Sequence, residues 1–327
     1  NLLPEGLLRT IVCAQHGLRE EDEPGILAAL GDDLPGAVTV SRIGDPVPGP
    51  ADDAMQSSDS TSFSKDSLIR ASIAGNVLKF SMKSRDQRLT LPGSGEYGDR
   101  IVKLSPPGEY DALVHNEFYV MSLAKACGIE VPDFDVVHRE NVEIAPSDWV
   151  TTEEHAFSIA RFDRSDQGRV HMEDFCQAGN LPGFQRSKYQ SSVEYVMKVA
   201  YRNYDLPSLV ECVRRTVFNI LCGNDDAHLK NWSLVYRDRR NAVLSPAYDL
   251  VCTAVYFDRP QDMALKLCGK EISADICLDD FRSIADMCRV ERGVIEEAVR
   301  SMIAEYGEAL DMVEVPTSLT SINVRGR

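Results

Sequence analysis

The most informative stretch of this 327-residue sequence is Gly223-Asn-Asp-Asp-Ala-His-Leu-Lys-Asn-Trp-Ser-Leu-Val-Tyr236, followed by Leu244-Ser-Pro-Ala-Tyr-Asp-Leu250. An apolar run typical of a helix ends immediately before it, so the stretch opens as a polar loop. The loop carries Asp226 and Asn231 in the pattern Asp-x-His-x-x-Asn, and Asp249 lies near the end of the second segment. These residue types and their spacing predict both the fold and the chemistry of the chain.

The residues after the loop predict a β-hairpin. Residues 232–236 alternate in the manner of a strand, residues 238–241 are typical of a turn, and residues 242–245 return. A hairpin brings its two ends together. We therefore expect Asn231 and Asp249 to converge beside the carboxylate of the loop.

This set of side chains is suited to phosphoryl transfer. A carboxylate such as Asp226 orients or deprotonates the attacking hydroxyl, while an amide oxygen and a second carboxylate hold Mg²⁺ against a triphosphate. Asn231 and Asp249 would supply those two ligands. Asp and Asn also commonly cap turns and helix ends, and for the loop alone that explanation is the better one. The hairpin and Asp249 together reverse the preference.

Short strands dominate the predicted N-terminal half. Residues 7–42 have the pattern of one or two helices, with a strand at 36–40. Residues 44–66 are rich in Pro, Asp and Ser, which predicts a linker or surface loop. Alternating apolar residues then predict strands at 77–82 and 101–104.

Helical spacing dominates the remainder. It predicts one helix at 112–126, among the strands, that stops near Gly128. Beyond about residue 165, it predicts helices near 191–203, 207–222, 278–289 and 293–306. We therefore predict an α+β, bilobal fold, with an N-terminal lobe at 1–160 and a mainly helical C-terminal lobe at 161–327. The N-terminal lobe divides into a subdomain at 1–43, a loop at 44–66 and a part with strands and one helix at 67–160.

The composition limits the classes of partner. Lysine and arginine number 35 against 51 acidic residues, which gives a net charge of −16. This sign argues against a large nucleic-acid-binding surface and against docking on an anionic membrane. Hydrophobic residues make up 43% of the chain, enough for a sizeable core.

The sequence also bears on the cellular compartment. No apolar run is long enough to span a bilayer, and the start, Asn1-Leu-Leu-Pro-Glu-Gly6, does not resemble a secretory signal. That start lacks a Met, so we expect a trimmed chain or one that begins inside a longer reading frame. The nine cysteines are scattered without a Cys-x-x-Cys pair, which favours reduced core thiols in a cytoplasmic protein.

The sequence resembles the HipA family, serine/threonine kinase toxins of bacterial toxin–antitoxin modules with a protein-kinase-like fold. The likeness begins with Asp226-x-His228-x-Lys230-Asn231 and Leu244–Leu250, which look like the family's catalytic and metal-binding loops. Further blocks follow the family's order along most of residues 1–307. They are Leu30-Gly-Asp-Asp-x-x-Gly36, Ser72-Ile-Ala-Gly75 with Lys79, Ile101-Val-Lys103-Leu, His115-Asn-Glu117, Ile159-Ala-Arg-Phe-Asp-Arg164 and His171-x-Glu-Asp-Phe175-x-Gln177.

The resemblance implies a catalytic role for each matched residue. Asp226 would orient the acceptor hydroxyl, and Asn231 and Asp249 would bind Mg²⁺. Lys103 would clamp the phosphates of ATP, paired with the helix carboxylate Glu117. Taken alone, Lys103 is also typical of a solvent-facing strand lysine, and Glu117 of a carboxylate near a helix start.

The resemblance also implies how the nucleotide is bound and how the kinase is regulated. Gly75 would let backbone amides approach the phosphates, and Lys79 would add a positive charge. In the family, the serine matching Ser72 is autophosphorylated, which ejects this loop and shuts the kinase off; a serine here is equally typical of a turn. Related loops often carry Gln two places before the lysine, where this chain has Val77.

The hinge strand and the catalytic loop complete the implied nucleotide site. Backbone groups near Ala160 and Phe162 would contact adenine, and the arginines around them would form ion pairs that bridge the lobes. His228 would have a structural rather than a proton-transfer role beside the nucleotide. Lys230 would steady the γ-phosphate, or is simply a solvated lysine.

The resemblance therefore implies an ATP- and Mg²⁺-dependent serine/threonine protein kinase toxin. Its substrate would be a translation component such as an aminoacyl-tRNA synthetase. Its partner would be a small helix-turn-helix antitoxin, similar to HipB, through which it would reach DNA only indirectly. A small-molecule phosphotransferase and a pseudokinase that only binds the antitoxin remain as alternatives.

Overall fold

The computed structural model describes residues 2–4, 6–41, 43, 78–86, 88–93, 96–105, 110, 112–144, 151–181, 187–257 and 262–320. The chain divides into two compact units, and the strand-rich unit comprises Leu2–Glu109 and Asp135–Arg169. The helical unit comprises Tyr110–Phe134 and Val170–Arg327. The loop predicted at 44–66, together with Ser72, Gly75 and Val77, lies outside the described residues.

The strand-rich unit begins with two helices, α1 (Gly6–His16) and α2 (Glu23–Ala29). Its strands are β1 (Leu78–Arg85), β2 (Arg88–Thr90), β3 (Arg100–Leu104), β4 (Phe134–His138), β5 (Val142–Glu143), β6 (His155–Ala160), β7 (Arg164–Ser165) and β8 (Gly168–Arg169). Within the described chain, six strands form one sheet in the order β4-β6-β3-β1-β2-β5. The strands predicted at 77–82 and 101–104 are confirmed as β1 and β3.

A shared hydrophobic core joins the N-terminal helices to this sheet. Apolar side chains of α1 and α2, such as Val12 and Ile26, are fully buried in the same cluster as Phe80 and Val102. Side chains alternate along a strand, so Phe80 and Val102 lie on the opposite face from their neighbours Lys79 and Lys103. The N-terminal segment therefore covers one face of the sheet and leaves the lysines on the other.

Four buried charges fasten the N-terminal segment to the end of β6. Arg161 donates to Asp33 Oδ1 at 2.8 Å and to both oxygens of Asp163, and Arg164 donates to the same two aspartates. Asp33 also accepts a hydrogen bond from the backbone of Gly98 at 3.1 Å. The arginines were predicted to bridge the two lobes, but these ion pairs lie inside the strand-rich unit. Asp33 lies inside the quoted block at Leu30–Gly36, but its pairing with the arginines was not predicted, because contacts between distant segments leave no local pattern.

The strand predicted at 36–40 does not form. Residues 31–37 form turns and bends, and residues 38–40 have no regular secondary structure. Their backbone donors are satisfied elsewhere, because Gly36 N–H bonds to Asp163 Oδ2 at 2.7 Å and Val40 N–H to Gly31 O at 3.1 Å. With these partners the segment has no need of a neighbouring strand.

The helical unit contains α3 (Leu113–Ala126), β9 (His171–Asp174), α4 (Phe175–Ala178), α5 (Val193–Ala200), α6 (Leu206–Cys222), β10 (Ser233–Tyr236), β11 (Val243–Leu244), α7 (Leu278–Cys288) and α8 (Arg292–Met312). All five predicted helices are confirmed, with ends shifted by a few residues. A small sheet in the order β11-β10-β9 lies among them.

Helix α3 lies at the predicted position in the sequence, but it belongs to the helical unit and not to the N-terminal lobe. The predicted boundary at residue 160 assigned it to the N-terminal lobe, whereas it packs against α8 in the helical unit. Its buried apolar side chains, such as Tyr119 and Leu123, explain this association. Sequence order alone does not show which core such a face will join.

All nine cysteines are free thiols, and six of them are buried. Burial raises the pKa of the Cys222 thiol, which keeps it protonated and unreactive. This agrees with the predicted reduced core cysteines. In the described part of the chain, no helix has both the length and the apolar character required to cross a bilayer.

Candidate active site

The polar loop begins where α6 is stopped by Gly223. This glycine has a left-handed backbone with φ of 70°, and a Cβ atom there would lie 2.9 Å from the side chain of Ala254. Both the conformation and the close approach favour glycine. The helix ends at Cys222, as the sequence predicted, so the loop leaves the helix at a fixed angle.

Hydrogen bonds inside the loop hold its functional residues. The Asn224 side chain donates to Asn219 Oδ1 at 3.0 Å and accepts from Asp226 N–H at 3.3 Å. His228 N–H then bonds to Asp226 O at 2.7 Å, and Asn231 N–H to His228 O at 2.9 Å. The Asp226 side chain is exposed, whereas His228 is buried. The loop therefore presents its carboxylate to solvent on a rigid backbone.

The predicted hairpin is confirmed. Strand β10 pairs antiparallel with β11, with Leu234 opposite Leu244, and Ser245 N–H bonds to Ser233 O at 2.9 Å. The Asp238 carboxylate accepts from two backbone donors in the connecting turn. These contacts determine the register in which the chain returns toward the loop.

Tyr248 joins the two ends of the hairpin. Its hydroxyl donates to Lys230 O at 2.9 Å and lies 2.5 Å from the Ser233 hydroxyl. Burial raises the pKa of Tyr248, so the hydroxyl stays protonated. Because Tyr248 precedes Asp249 and Lys230 precedes Asn231, this contact brings the predicted pair of metal ligands into neighbouring segments.

The segment around Asp249 is strained and well anchored. Asp249 has a left-handed backbone with φ of 55°. This conformation is uncommon for a residue other than glycine, and residues that adopt it are often found at functional sites. Farther on, the Thr253 hydroxyl donates to Gly223 O at 3.1 Å and accepts from Asp225 N–H at 2.8 Å. The second segment is thus bonded to the first residues of the loop.

Asn231 provides a direct test of whether Mg²⁺ would fit. Among the described residues, its side-chain oxygen Oδ1 is buried and has no hydrogen-bond partner. A buried polar atom without a partner is costly unless something else binds it. Amide and carboxylate oxygens are ligands that Mg²⁺ prefers. In the same part of the chain, no group of three or more His, Cys, Asp or Glu could hold a metal alone. A site of two protein oxygens completed by phosphate and water therefore fits these residues.

In the strand-rich unit, the two predicted phosphate-binding lysines face each other. Lys79 on β1 is directly opposite Lys103 on β3, and both are about 5% exposed. The Lys103 ammonium also lies 5.6 Å from the ring centre of Phe157. The two lysines therefore place two ammonium groups on the same face of this sheet.

The remaining predicted residues are placed as follows. Ala160 is the last residue of β6, and Phe162 lies two residues beyond it. Glu117 is buried on α3 in the helical unit, so its pairing with Lys103 stays a prediction. Lys230 is half-buried in the loop.

Two residues without a predicted role also contact the site. Asn116 lay inside a quoted motif, and its side chain bonds to the backbone of Cys252. Tyr189 donates a hydrogen bond to Asp226 Oδ1 at 2.9 Å, across 37 positions of sequence. No spacing in the sequence signals either contact.

Family models match nearly the whole chain. The HipA-like C-terminal domain matches residues 71–312, and the HipA N-terminal domain matches residues 1–41. The chain belongs to the HipA family. The resemblance seen in the sequence, and with it the predicted α+β, kinase-like fold, is confirmed.

Individual HipA-family relatives support this assignment. The protein Y4dM of Sinorhizobium fredii is provisionally named a kinase. It is 35% identical to this chain over 311 residues, which cover 94% of this chain and 74% of Y4dM. The serine/threonine-protein kinase toxin HipA of Shewanella oneidensis is 27% identical over 300 residues, or 82% of this chain and 65% of its own.

A solved structure shows the same fold. It is the complex of HipA and HipB of Shewanella oneidensis with operator DNA. The match has a TM-score of 0.72 at 22% identity, and it covers 96% of this chain and 78% of that one.

Proposed function

We propose that this chain is an ATP- and Mg²⁺-dependent serine/threonine protein kinase that acts as the toxin of a bacterial toxin–antitoxin module. One observation carries the proposal: a single loop contains both the exposed Asp226 carboxylate and the buried Oδ1 of Asn231. This oxygen has no hydrogen-bond partner among the described residues. Membership of the HipA family and the kinase names of its relatives support it.

Asp226 is the proposed general base. The oxygen of a serine or threonine hydroxyl attacks the γ-phosphorus of ATP, its proton passes to Asp226, and the bond to the leaving ADP oxygen breaks. An exposed carboxylate on a backbone held by its own hydrogen bonds can meet a protein acceptor without rearranging. His228 is buried in the same loop, which supports a structural role.

Asn231 and Asp249 are the proposed metal ligands. Bound Mg²⁺ would neutralise charge on the phosphates. The strained backbone of Asp249 and the unbonded oxygen of Asn231 are features that a purely structural loop has no reason to keep.

Lys79 and Lys103 are the proposed phosphate-binding residues. Their opposed positions on β1 and β3 concentrate two positive charges on one face of the sheet in a chain of net charge −16. Backbone groups near Ala160 and Phe162 would contact adenine, with Glu117 and Lys230 steadying the lysine and the γ-phosphate. Gly75 and Ser72 would form the phosphate loop and its regulatory phosphorylation site.

The partners follow from the same proposal. The Shewanella oneidensis HipA structure contains HipB and operator DNA, and we propose a similar antitoxin for this chain. Its acidic charge suits contact with DNA through that basic partner rather than directly. We propose a translation component, such as an aminoacyl-tRNA synthetase, as the phosphorylated protein.

Phosphate transfer from ATP labelled on the γ-phosphate tests the proposal. Purified protein, Mg²⁺ and a desalted bacterial protein extract should give labelled phosphoserine or phosphothreonine, and chelation of the metal should abolish the label. Label found only in small molecules would indicate a small-molecule phosphotransferase. ATP binding with no transfer to any acceptor would indicate a pseudokinase.

A further inference from the structure

Tyr189 contacts the proposed base from a separate segment of the helical unit. It ends a short 3-10 turn, Ser187–Tyr189, and its hydroxyl donates to Asp226 Oδ1 at 2.9 Å. This distance lies in the range of a good hydrogen bond between a hydroxyl and a carboxylate. The side chain is 43% exposed, so burial of the ring alone does not explain its position.

The ring of Tyr189 is held from two sides. The His228 ring approaches it edge to face, with the centroids 5.3 Å apart and the planes at 81°. The Lys188 ammonium lies 5.3 Å from the Tyr189 ring centre, and Lys188 itself is only 8% exposed. Aromatic and cation–π contacts of this kind favour one ring orientation. The hydroxyl is therefore directed at Asp226 by packing.

We propose that Tyr189 is a positioning residue that orients the Asp226 carboxylate for proton abstraction. This inference rests on the kinase function proposed above. A donor on Oδ1 restricts rotation of the carboxylate and so fixes its orientation toward an acceptor hydroxyl. Nucleophile-activating bases are commonly oriented in this way by a third group. His228, which is buried in the loop, contacts the Tyr189 ring and therefore acts on Asp226 through Tyr189.

Orientation explains the contacts better than obstruction does. A tyrosine that merely blocked the base would have to leave when substrate arrives, and a loosely held ring would suit that purpose. Here the ring packs against a residue of the catalytic loop and against its own buried neighbour. Its hydroxyl needs no movement to remain on Oδ1 when an acceptor hydroxyl arrives.

Tyr189→Phe tests this inference, because it removes the hydroxyl and keeps the ring. The readouts are the maximum rate of transfer from γ-labelled ATP to proteins of a desalted bacterial extract, the KM for ATP and the melting temperature. We expect the maximum rate to fall about tenfold. The KM for ATP should change by less than about twofold, and the melting temperature by less than about 2 °C.

Tyr195→Phe is the matched control. Tyr195 lies on helix α5, and its hydroxyl donates to the backbone oxygen of Phe175 on α4 at 3.2 Å. The control should keep the wild-type maximum rate within about twofold. A selective loss of rate in Tyr189→Phe, at unchanged KM and stability, supports the orienting role.

Three results would overturn the inference while leaving the kinase proposal standing. They are a wild-type rate in Tyr189→Phe, an increased rate that marks the hydroxyl as an obstruction, and labelled phosphate on Tyr189 itself. No transfer by the wild-type protein would instead refute the proposed function, and the inference that rests on it would fall too.

Discussion

The side chain of Asn116 makes a two-point contact with the backbone of Cys252. Its Nδ2 donates to Cys252 O at 3.0 Å, and Cys252 N–H donates to its Oδ1 at 2.9 Å. Asn116 is completely buried on α3. Helix α3, which is distant in the sequence, is thus hydrogen-bonded to the chain at Cys252. This position is three residues after Asp249, the proposed metal ligand with a strained backbone.

Replacing Asn116 should therefore weaken both the fold and the site. Asn116→Ala leaves the buried backbone N–H and C=O of Cys252 without these partners, and we expect a loss of about 2 to 4 kcal/mol in the free energy of unfolding. Urea denaturation measures it. Ser122→Ala is the control, because the Ser122 hydroxyl on the same helix donates to Phe118 O one turn earlier, and its loss should cost less than about 1 kcal/mol. A loss below about 1 kcal/mol in Asn116→Ala would contradict the anchoring role.

Replacing Asn231 should impair metal-dependent activity and leave the stability of the fold almost unchanged. Since no described residue bonds to its Oδ1, Asn231→Ala should change the free energy of unfolding by less than about 1 kcal/mol. The Mg²⁺ concentration for half-maximal phosphate transfer should rise about tenfold or more, because one of two protein ligands is lost. Asn219→Ala provides the contrast: it removes a bonded amide partner of Asn224 and should lower stability. An unchanged Mg²⁺ dependence in Asn231→Ala would rule out this ligand.

The buried charges at Asp33 should be essential for the strand-rich unit. Asp33→Asn leaves the guanidinium groups of Arg161 and Arg164 with one carboxylate between them. Breaking a buried ion pair by removing one partner costs about 3 to 5 kcal/mol. Thermal and urea denaturation would detect it, and Asp32→Asn, at the neighbouring half-buried position, should change stability by less than about 0.5 kcal/mol. A loss as small in Asp33→Asn as in Asp32→Asn, below about 0.5 kcal/mol, would show that the cluster is dispensable.

The same cluster predicts a dependence of stability on pH. Burial alone would raise the pKa of Asp163, but the Arg161 and Arg164 guanidiniums outweigh it and lower the pKa to about 2. The folded state thus binds fewer protons than the unfolded state, whose carboxyl titrates near its ordinary value of about 3.9. Asp163 should contribute about 2 to 3 kcal/mol above pH about 4, and this contribution should be lost as the pH falls toward about 2.

Urea denaturation at several pH values between about 5 and about 2.5 measures this dependence. Asp163→Asn, which cannot titrate, should show a shallower loss of stability over the same interval. Parallel curves for the two proteins would mean that other carboxyl groups account for the acid sensitivity.

Local patterns explain what the sequence could predict. The alternation in β1 and β3, the helical spacing in α3 and α6, and the turn residues of the β10–β11 hairpin each act over a few neighbouring positions, and all appear in the structure. The hairpin also carried the prediction that Asn231 and Asp249 approach each other. In the structure the Tyr248 hydroxyl donates to Lys230 O, so the residues that precede Asp249 and Asn231 are in contact.

Contacts between distant segments explain what the sequence could not predict. Asp33 pairs with Arg161 across 128 positions, and Tyr189 reaches Asp226 across 37. Neither distance has a periodicity that a sequence can display. The strand predicted at 36–40 failed for the same reason, because the distant carboxylate of Asp163 supplied the partner for Gly36.

The comparison of two adjacent aspartates tests the kinase proposal most directly. Asp226→Asn and Asp225→Asn make the same isosteric change one residue apart, and transfer of γ-labelled phosphate from ATP to extract proteins is measured for both and for the wild type. We predict that Asp226→Asn loses at least about a hundredfold in rate, as expected for removal of a general base, while Asp225→Asn keeps most of it. Wild-type transfer that Asp226→Asn leaves intact would contradict the assignment of Asp226 as the catalytic base.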